Sequence, residues 1–277
     1  IILKTLNIGL GDEVITVSNS WISTSETISQ TGAKVVFVDI EKNYYTIDSN
    51  QIEKYITPKT KAIIPVHLYG HPANMDSIEY ICKKNNLFLI EDCAQAHFAK
   101  WKDRLVGTIG VAGTFSFFPG KNLGAYGDAG AILTNNSEIA KNARMFANHG
   151  SLIKHQHEIE GINSRLDGMQ AGILNVKLKY ILKWNDLRNQ KAELYLNLLK
   201  DIKQIEIPKI DKNAYSVFHL FVIRAKKRDQ LKQFLSDYNI STGIHYPKPL
   251  PFLKAYKYLK SKKEDYPISY KYHKLIL

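Results

Sequence analysis

Short apolar runs alternate in the first half of the chain with segments whose apolar residues have helical spacing. The runs at 13–17, 34–39, 61–70, 87–92, 113–118 and 130–135 predict strands, and the segments 23–30, 75–84 and 137–146 predict helices. Because these strands are apolar at successive positions, both of their faces are expected to be buried. The alternation predicts a mainly parallel sheet sandwiched between helices, which is an α/β fold.

The second half of the chain has a different pattern. A long helical stretch runs from residue 164 to about 200, and a predicted strand at 217–224 and a predicted helix at 228–237 follow it. We therefore predict a large α/β domain at 1–163, a long connecting helix at 164–200 and a smaller C-terminal α+β domain at 201–277. Because the chain opens on what reads as the end of a helix, we expect a fragment that lacks N- and C-terminal parts.

Composition limits the classes of partner. The chain has 277 residues, of which 44% are hydrophobic and 23% charged, as in ordinary globular proteins. Its net charge of +12 would suit nucleic acid, an anionic membrane or an anionic small molecule. The lysines are scattered and no nucleic-acid-reading motif accompanies them, so a basic nucleic-acid-binding protein is a weaker alternative. Two cysteines without a CxxC pattern predict no disulfide framework and no metal site, and they fit a reducing cytosol.

Polar and aromatic residues follow the ends of the predicted strands. In an open α/β sheet, ligands bind outside the carboxyl ends of the strands, so residues distant in sequence are expected to converge there. The set consists of Asn19, Ser20, Trp21, His67, Tyr69, Asp92, Gln95, His97 and Lys121. Each of them alone has an ordinary structural interpretation, and their expected convergence on one edge is what indicates a site.

A lysine, a carboxylate and an aromatic plate together favour Schiff-base chemistry. The segment FPGKNLG around Lys121 does not match the phosphate-binding pattern GxxxxGK[ST]. A lysine amine reacts with a carbonyl once it has lost its proton. Pyridoxal phosphate needs such a lysine, a carboxylate against its ring nitrogen, an apolar face and donors for its phosphate.

The chain resembles a sugar-nucleotide aminotransferase of the DegT/StrS type, a pyridoxal-phosphate-dependent enzyme of fold type I. The resemblance rests on GDEVITVSNSWISTSETISQTGAKVVFVDI, PVHLYGHPANMD, LIEDCAQAHFA, FSFFPGKNLGAYGDAGAI, EGINSRLDGMQAGIL and GIHYPKPL, in that order. It covers essentially the whole chain.

The resemblance implies roles for the cofactor-binding residues. Lys121 would form the Schiff base and carry a proton between cofactor and sugar, Asp92 would pair with the pyridine nitrogen, and Gln95 would meet the ring oxygen. Trp21 would stack on the ring and Ser116 would donate to the phosphate. Asn163 would reach the phosphate of the neighbouring subunit in a homodimer whose active sites lie at the interface.

The resemblance also implies residues that contact the substrate. These are His157 before GINSR, His245 and Tyr246 in GIHYPKP, and Tyr69. One departure is Phe98, where glycine is common in the family. A second is that the chain begins after the Gly-Thr segment that holds the cofactor phosphate in the family.

The implied reaction is transamination from glutamate to a keto-sugar nucleotide in the cytoplasm, for lipopolysaccharide or other glycan amino sugars. The pattern is closest to enzymes that aminate C3 of dTDP-3-keto-6-deoxyhexoses. Amination at C4 and UDP-linked substrates remain alternatives. A dehydratase of this fold would have histidine in place of Lys121. A regulatory or sensor protein on the same scaffold would not need Asp92, Gln95 and Lys121 together.

Overall fold

A computed structural model describes all residues of the chain, 1–277. The helices are α1 (Ile2–Thr5), α2 (Ser23–Gln30), α3 (Ser49–Ile52), α4 (Met75–Lys84), α5 (Ser137–Ala147), α6 (Gly168–Leu178), α7 (Ile181–Leu199), α8 (Arg228–Asp237) and α9 (Pro267–Tyr272). The strands are β1 (Glu13–Val17), β2 (Lys34–Val38), β3 (Thr60–Ile64), β4 (Phe88–Asp92), β5 (Lys100–Trp101), β6 (Arg104–Leu105), β7 (Ala112–Ser116), β8 (Gly130–Leu133), β9 (Ser151–Ile153), β10 (Gln156–His157), β11 (Ile205–Glu206), β12 (Ala214–Tyr215) and β13 (Arg224–Ala225).

The main sheet has six strands in the order β2-β1-β3-β4-β7-β8. Its neighbouring strands are parallel except β7 and β8, which pair antiparallel with Ser116 opposite Gly130. All five residues of β1 are buried, as its unbroken apolar pattern predicts for a central strand. The predicted mainly parallel sheet is therefore confirmed. The carboxyl ends of β1, β3, β4 and β7 lie along one edge, where the predicted site residues follow them.

The C-terminal residues pack against this sheet. The Asp39 carboxylate, just after β2, accepts hydrogen bonds from the backbone N–H of Ile268 (2.7 Å) and of Ser269 (3.0 Å). The backbone N–H of Leu250 donates to the Ser18 carbonyl oxygen at 2.8 Å, just after β1. These bonds connect the segment 250–269 to residues 18–39. The division of the chain at residues 163 and 200 stays a prediction.

The long connecting helix predicted at 164–200 is wrong in two respects. The helix begins only at Gly168, after Asp167 in an extended conformation, and it is interrupted at Lys179 and Tyr180 between α6 and α7. The interruption brings Leu174 of α6 and Ile181 of α7 into one buried cluster with Leu123. Even α7, with 19 residues, is not apolar enough to cross a membrane, and no other helix is long and apolar enough to do so.

The strand predicted at 217–224 is reduced to Arg224–Ala225, which pairs with Ile205–Glu206. The residues before it bond to the turn after β3 instead. The backbone N–H of Val217 donates to the Gly70 carbonyl at 3.0 Å, and that of Leu220 donates to the Tyr69 carbonyl at 3.3 Å. Phe218 between them has φ +40°, which no strand residue adopts. Long-range backbone pairing therefore overrides the local strand pattern.

Candidate active site

The Asp92 carboxylate lies at the carboxyl end of β4. One of its oxygens accepts from the Thr24 hydroxyl at 2.6 Å, and the other accepts from the backbone N–H of Ala94 at 3.0 Å. A carboxylate offers about four lone-pair positions, so these bonds orient Asp92 and leave it able to accept from a further donor. Thr24 belongs to α2, which begins just after β1, so residues that follow β1 and end β4 build this part of the site.

Lys121 lies in the tight loop that follows β7. Its backbone N–H donates to the Phe118 carbonyl at 2.9 Å, and a Cβ on Gly124 would lie only 2.4 Å from the Pro119 carbonyl oxygen, so the loop requires glycine there. Burial lowers the pKa of the Lys121 amine, and the negative charge of Asp92 partly opposes that shift. The loop thus places the amine in a half-buried environment within electrostatic range of Asp92.

Gln95, Tyr69 and Tyr246 form one hydrogen-bonded wall beside Asp92. The Gln95 amide oxygen accepts from the backbone N–H of Tyr69 at 2.6 Å, so its nitrogen is the atom that donates to the Tyr246 hydroxyl at 3.1 Å. The Tyr69 hydroxyl donates to the His245 carbonyl oxygen. Burial raises the pKa of Tyr246 to about 12, which keeps its hydroxyl protonated at neutral pH. Gln95 therefore keeps one N–H, and Tyr246 its O–H, free to donate to a ligand.

Trp21 and Ser116 complete the part of the site that the structure brings together. The Trp21 side chain is 59% exposed, and its ring centre lies 5.9 Å from that of Tyr246. Ser116 ends β7 and lines two cavities. One, of about 240 Å³, also contacts Thr24 and Asp92, and the other, of about 870 Å³, also contacts Arg165.

Two predicted site residues lie apart from this group within the chain. The side chain of Asn163 is exposed and accepts from Arg165 Nε at 3.2 Å. His157 is exposed in the β9–β10 hairpin, where its Nδ1 lies 2.8 Å from the His149 carbonyl oxygen. No hydrogen bond joins either residue to Asp92 or Lys121 within one chain, and their predicted roles stay predictions.

Three histidines lie within electrostatic range of Lys121, and sequence reasoning missed His219 among them. Burial lowers the pKa of His219 to about 3 and that of His97 to about 4, and the charge of Lys121 adds to both shifts. Burial and Lys121 lower the pKa of His245 in the same way. His219 comes from the segment that had been predicted as a strand, so the sequence contained no signal that it approaches Lys121.

His67 does not join the site, although the strand-end pattern predicted that it would. It is fully buried, and the backbone N–H of Ala73 donates to its Nδ1 at 3.1 Å, so its Nε2 carries the proton and donates to Glu91 at 3.2 Å. Glu91 also accepts from the backbone N–H of Gly107 (2.7 Å) and of Gly110 (2.8 Å). Glu91 and Asp92 are neighbours on one strand, so their side chains point to opposite faces and only Asp92 reaches the cleft.

Replacing Glu91 by glutamine is expected to lower the free energy of unfolding by about 3 kcal/mol near pH 7, since an amide N–H₂ would then meet backbone donors. Burial alone would raise the pKa of Glu91, but the bonds from His67, Gly107 and Gly110 outweigh burial and hold the pKa below its ordinary value of 4.5. The ionised Glu91 carboxylate therefore stabilises the fold above pH 4.5, and this stabilisation is lost as the pH falls through the folded-state pKa of Glu91.

Urea unfolding of wild type and Glu91→Gln, at pH 7 and below pH 4.5, measures the effect. Glu160→Gln, at an exposed position, is the control. A difference between wild type and Glu91→Gln that grows as the pH falls would contradict the prediction.

The donor set fits pyridoxal phosphate. Asp92 can accept from a pyridine N–H, Gln95 has a free amide N–H for the ring oxygen, and Trp21 offers an exposed apolar plate. Lys121 provides the amine. Ser116 and the α2 residue Thr24 line the adjoining cavity of about 240 Å³. The ring nitrogen, the ring oxygen, the ring face and the aldehyde carbon of the cofactor therefore each have a matching group, and Ser116 offers one hydroxyl for the phosphate.

A model of the family described as "DegT/DnrJ/EryC1/StrS aminotransferase family" matches residues 1–277. The chain belongs to this family. A "pleiotropic regulatory protein" of Geobacillus stearothermophilus is 45% identical to this DegT/StrS-type chain, over 96% of the chain and 72% of the relative. A "dTDP-3-amino-3,6-dideoxy-alpha-D-galactopyranose transaminase" of Aneurinibacillus thermoaerophilus is also 45% identical, over 99% of the chain and 74% of the relative. The crystal structure of DesV from S. venezuelae "in complex with ketimine intermediate" superposes with a TM-score of 0.97 and 40% identity, over 99% of the chain and 74% of DesV.

These comparisons confirm the fold and the class of enzyme. The DegT/StrS-type chain has the fold type I architecture, and it is a pyridoxal-phosphate-dependent sugar aminotransferase. Its cofactor is pyridoxal phosphate. Asp92, Lys121 and the wall of Gln95, Tyr69 and Tyr246 are the groups of this chain that match the cofactor's chemistry.

Proposed function

We propose that this enzyme transfers the amino group of glutamate to C3 of a dTDP-3-keto-6-deoxyhexose. The observation that carries the proposal is the oriented Asp92 carboxylate beside the half-buried Lys121 amine, at the edge formed by β4 and β7. In the first half-reaction glutamate becomes 2-oxoglutarate, with one water consumed. In the second half-reaction the amine replaces the keto oxygen of the sugar, which leaves as water. Support for the sugar and for C3 comes from the transaminase of Aneurinibacillus thermoaerophilus described above.

When bound, pyridoxal phosphate supplies an aldehyde carbon for the amine and a ring that withdraws electrons. Asp92 keeps the ring nitrogen protonated by offering a carboxylate oxygen to its N–H. Gln95 and Trp21 orient the ring, and Ser116 donates to the phosphate. Lys121 holds and moves the proton that passes between the reacting carbons. Because its pKa is lowered, a larger fraction of the Lys121 amine is neutral at a given pH than in an ordinary lysine.

Four residues are proposed to contact the sugar nucleotide: Tyr69, His157, His245 and Tyr246. The proposed contact is best supported for Tyr246, because its hydroxyl accepts from Gln95 and retains its own hydrogen for a ligand. His245 lies next to it and is partly buried beside Lys121. The Tyr69 hydroxyl is occupied by the His245 carbonyl, so Tyr69 supports the shape of this wall.

A homodimer is part of the proposal, with Asn163 acting on the phosphate bound in the neighbouring subunit. Asn163 is exposed and is flanked by exposed apolar side chains, namely Ile159, Ile162, Leu166 and Met169, the last of which is 77% exposed. Such a surface is typical of a subunit interface. We place the reaction in the cytoplasm, which suits the free thiols of Cys82 and Cys93, and in the biosynthesis of amino sugars for lipopolysaccharide or other glycans.

Absorbance spectroscopy with sugar nucleotides tests this function. Glutamate is expected to bleach the visible band that forms with pyridoxal phosphate, and a dTDP-3-keto-6-deoxyhexose is expected to restore it. Restoration by a dTDP-4-keto sugar or by a UDP-linked 3-keto sugar is expected to be at least about tenfold slower, since each misplaces one polar group in the site. A faster reaction with either one would replace the C3, dTDP assignment.

The regulatory alternative gains weight from the Geobacillus stearothermophilus relative, whose name describes a regulator. The same experiment separates the two functions. A chain that forms the band but keeps it unchanged in glutamate and in every keto sugar would be a cofactor-binding regulator and not an aminotransferase.

A further inference from the structure

Asn122, the residue after Lys121, is buried and makes hydrogen bonds to three residues in two separate segments. Its side-chain nitrogen donates to Asn185 Oδ1 on α7 and to the Val217 carbonyl oxygen, each at 3.0 Å. Its Oδ1 lies 3.1 Å from His219 Nδ1. Both N–H groups of this buried amide and its oxygen therefore have hydrogen-bond partners.

The direction of these hydrogen bonds is determined by backbone carbonyls, which only accept. The Val217 carbonyl requires the nitrogen of Asn122 on its side, so Asn122 Oδ1 must point to His219 and accept from Nδ1–H. The His97 carbonyl accepts from Asn185 Nδ2 at 2.9 Å and so orients Asn185 in the same way. His219 stays neutral because burial, with Lys121 and other cations nearby, lowers its pKa to about 3. We call Asn122, Asn185 and His219 the Asn122 network.

Lys121 itself has few restraints. Its side-chain amine makes no hydrogen bond in the structure, and its backbone N–H bonds only within the loop, to Phe118. The position of the amine therefore depends on where the loop holds the backbone of residues 121 and 122. A displacement of about 1 Å in a reacting group can lower a rate about 100-fold, so this restraint matters for chemistry.

We propose that the Asn122 network is a positioning device that holds the Lys121 loop so that the amine meets the cofactor carbonyl. This inference rests on the proposed Schiff-base role of Lys121. Asn122, Asn185 and His219 act through Lys121 and not on the substrate. The device ties the loop to α7, to the segment 217–219 and, through the His97 carbonyl, to the residues that follow β4.

The rate at which the Schiff-base absorbance band forms after mixing with pyridoxal phosphate tests the proposal, and it does not depend on turnover. Asn122→Leu removes the bonds and keeps the volume. His219→Leu removes only the donor to Asn122, whereas His219→Asn keeps a donor, because an asparagine nitrogen overlies Nδ1 of histidine. Asn189→Leu is the matched control on α7. Asn189 donates to the backbone carbonyls of Ser216 (3.1 Å) and Asn185 (3.0 Å), but it bonds neither to the Lys121 loop nor to a side chain of the Asn122 network.

Asn122→Leu and His219→Leu are expected to form the band about 10- to 100-fold more slowly than wild type, and His219→Asn close to the wild-type rate. Asn189→Leu is expected to lower the thermal midpoint without slowing band formation. If Asn122→Leu does not fold, the comparison of His219→Leu with His219→Asn tests the proposal. Equal rates in both His219 variants and wild type would overturn the proposal. A wild-type protein that forms no band would instead overturn the role of Lys121, and the network proposal with it.

Discussion

Replacing Lys121 by alanine is expected to abolish the visible band with pyridoxal phosphate and to lower turnover by about 10²- to 10⁴-fold. The change removes both the amine that joins the cofactor and the group that moves the proton. Lys121 is half-buried, and burial lowers its pKa. Absorbance spectra and steady-state rates with glutamate measure both effects.

Two controls separate this chemistry from charge. Lys121→Arg retains a positive charge but has no amine that can become neutral, so it is expected to behave like alanine. Lys141→Ala removes an exposed lysine on α5 and is expected to leave the band intact. A visible band that survives in Lys121→Ala and is bleached by glutamate would show that another amine is used.

Replacing Asp92 by asparagine is expected to lower turnover by about 10²- to 10³-fold, since the ring nitrogen would lose its charged partner. The same change has a second consequence for Lys121. The Asp92 charge raises the pKa of Lys121 against the effect of burial, so its removal lowers that pKa further. The amine reacts only when it is neutral, so the band forms faster as the pH rises. In Asp92→Asn this increase in rate is therefore expected at a lower pH than in wild type.

Asp128→Asn is the matched control for Asp92→Asn. Asp128 is an exposed carboxylate seven residues after Lys121, and its charge does not contribute to the shift in the lysine pKa. It is expected to leave both turnover and the pH profile unchanged. A pH profile that moves upward in Asp92→Asn, or equally in both variants, would contradict the assignment of Asp92.

The main sheet could be predicted from local pattern because its strands are apolar on both faces. The predicted strand 13–17 and helix 75–84 agree with β1 and α4 to the residue. The segments outside the sheet could not be predicted in the same way. The pairing of Val217 with Gly70 joins residues 147 positions apart, and no local pattern contains it.

The site residues also divide into those that the local sequence pattern predicts and those that it does not. Asp92, Gln95 and Lys121 could be predicted to share an edge, because each follows a strand end, and the structure places them together. Thr24 and His219 could not, since their contacts depend on the final arrangement of α2 and the segment 217–219. Phe98, where the family commonly has glycine, has φ +65°, a conformation that favours glycine. Its side chain packs against the buried cluster that contains Leu123.

The exposure of Trp21 gives the enzyme a built-in optical reporter. Of its three tryptophans, Trp101 is buried and Trp184 partly buried, so Trp21 alone presents its indole to the cleft. A conjugated ring stacked on this indole would accept its excitation energy and quench its fluorescence. Cofactor loading, exchange and loss could thus be followed from the protein's own emission, without a label and at concentrations too low for absorbance.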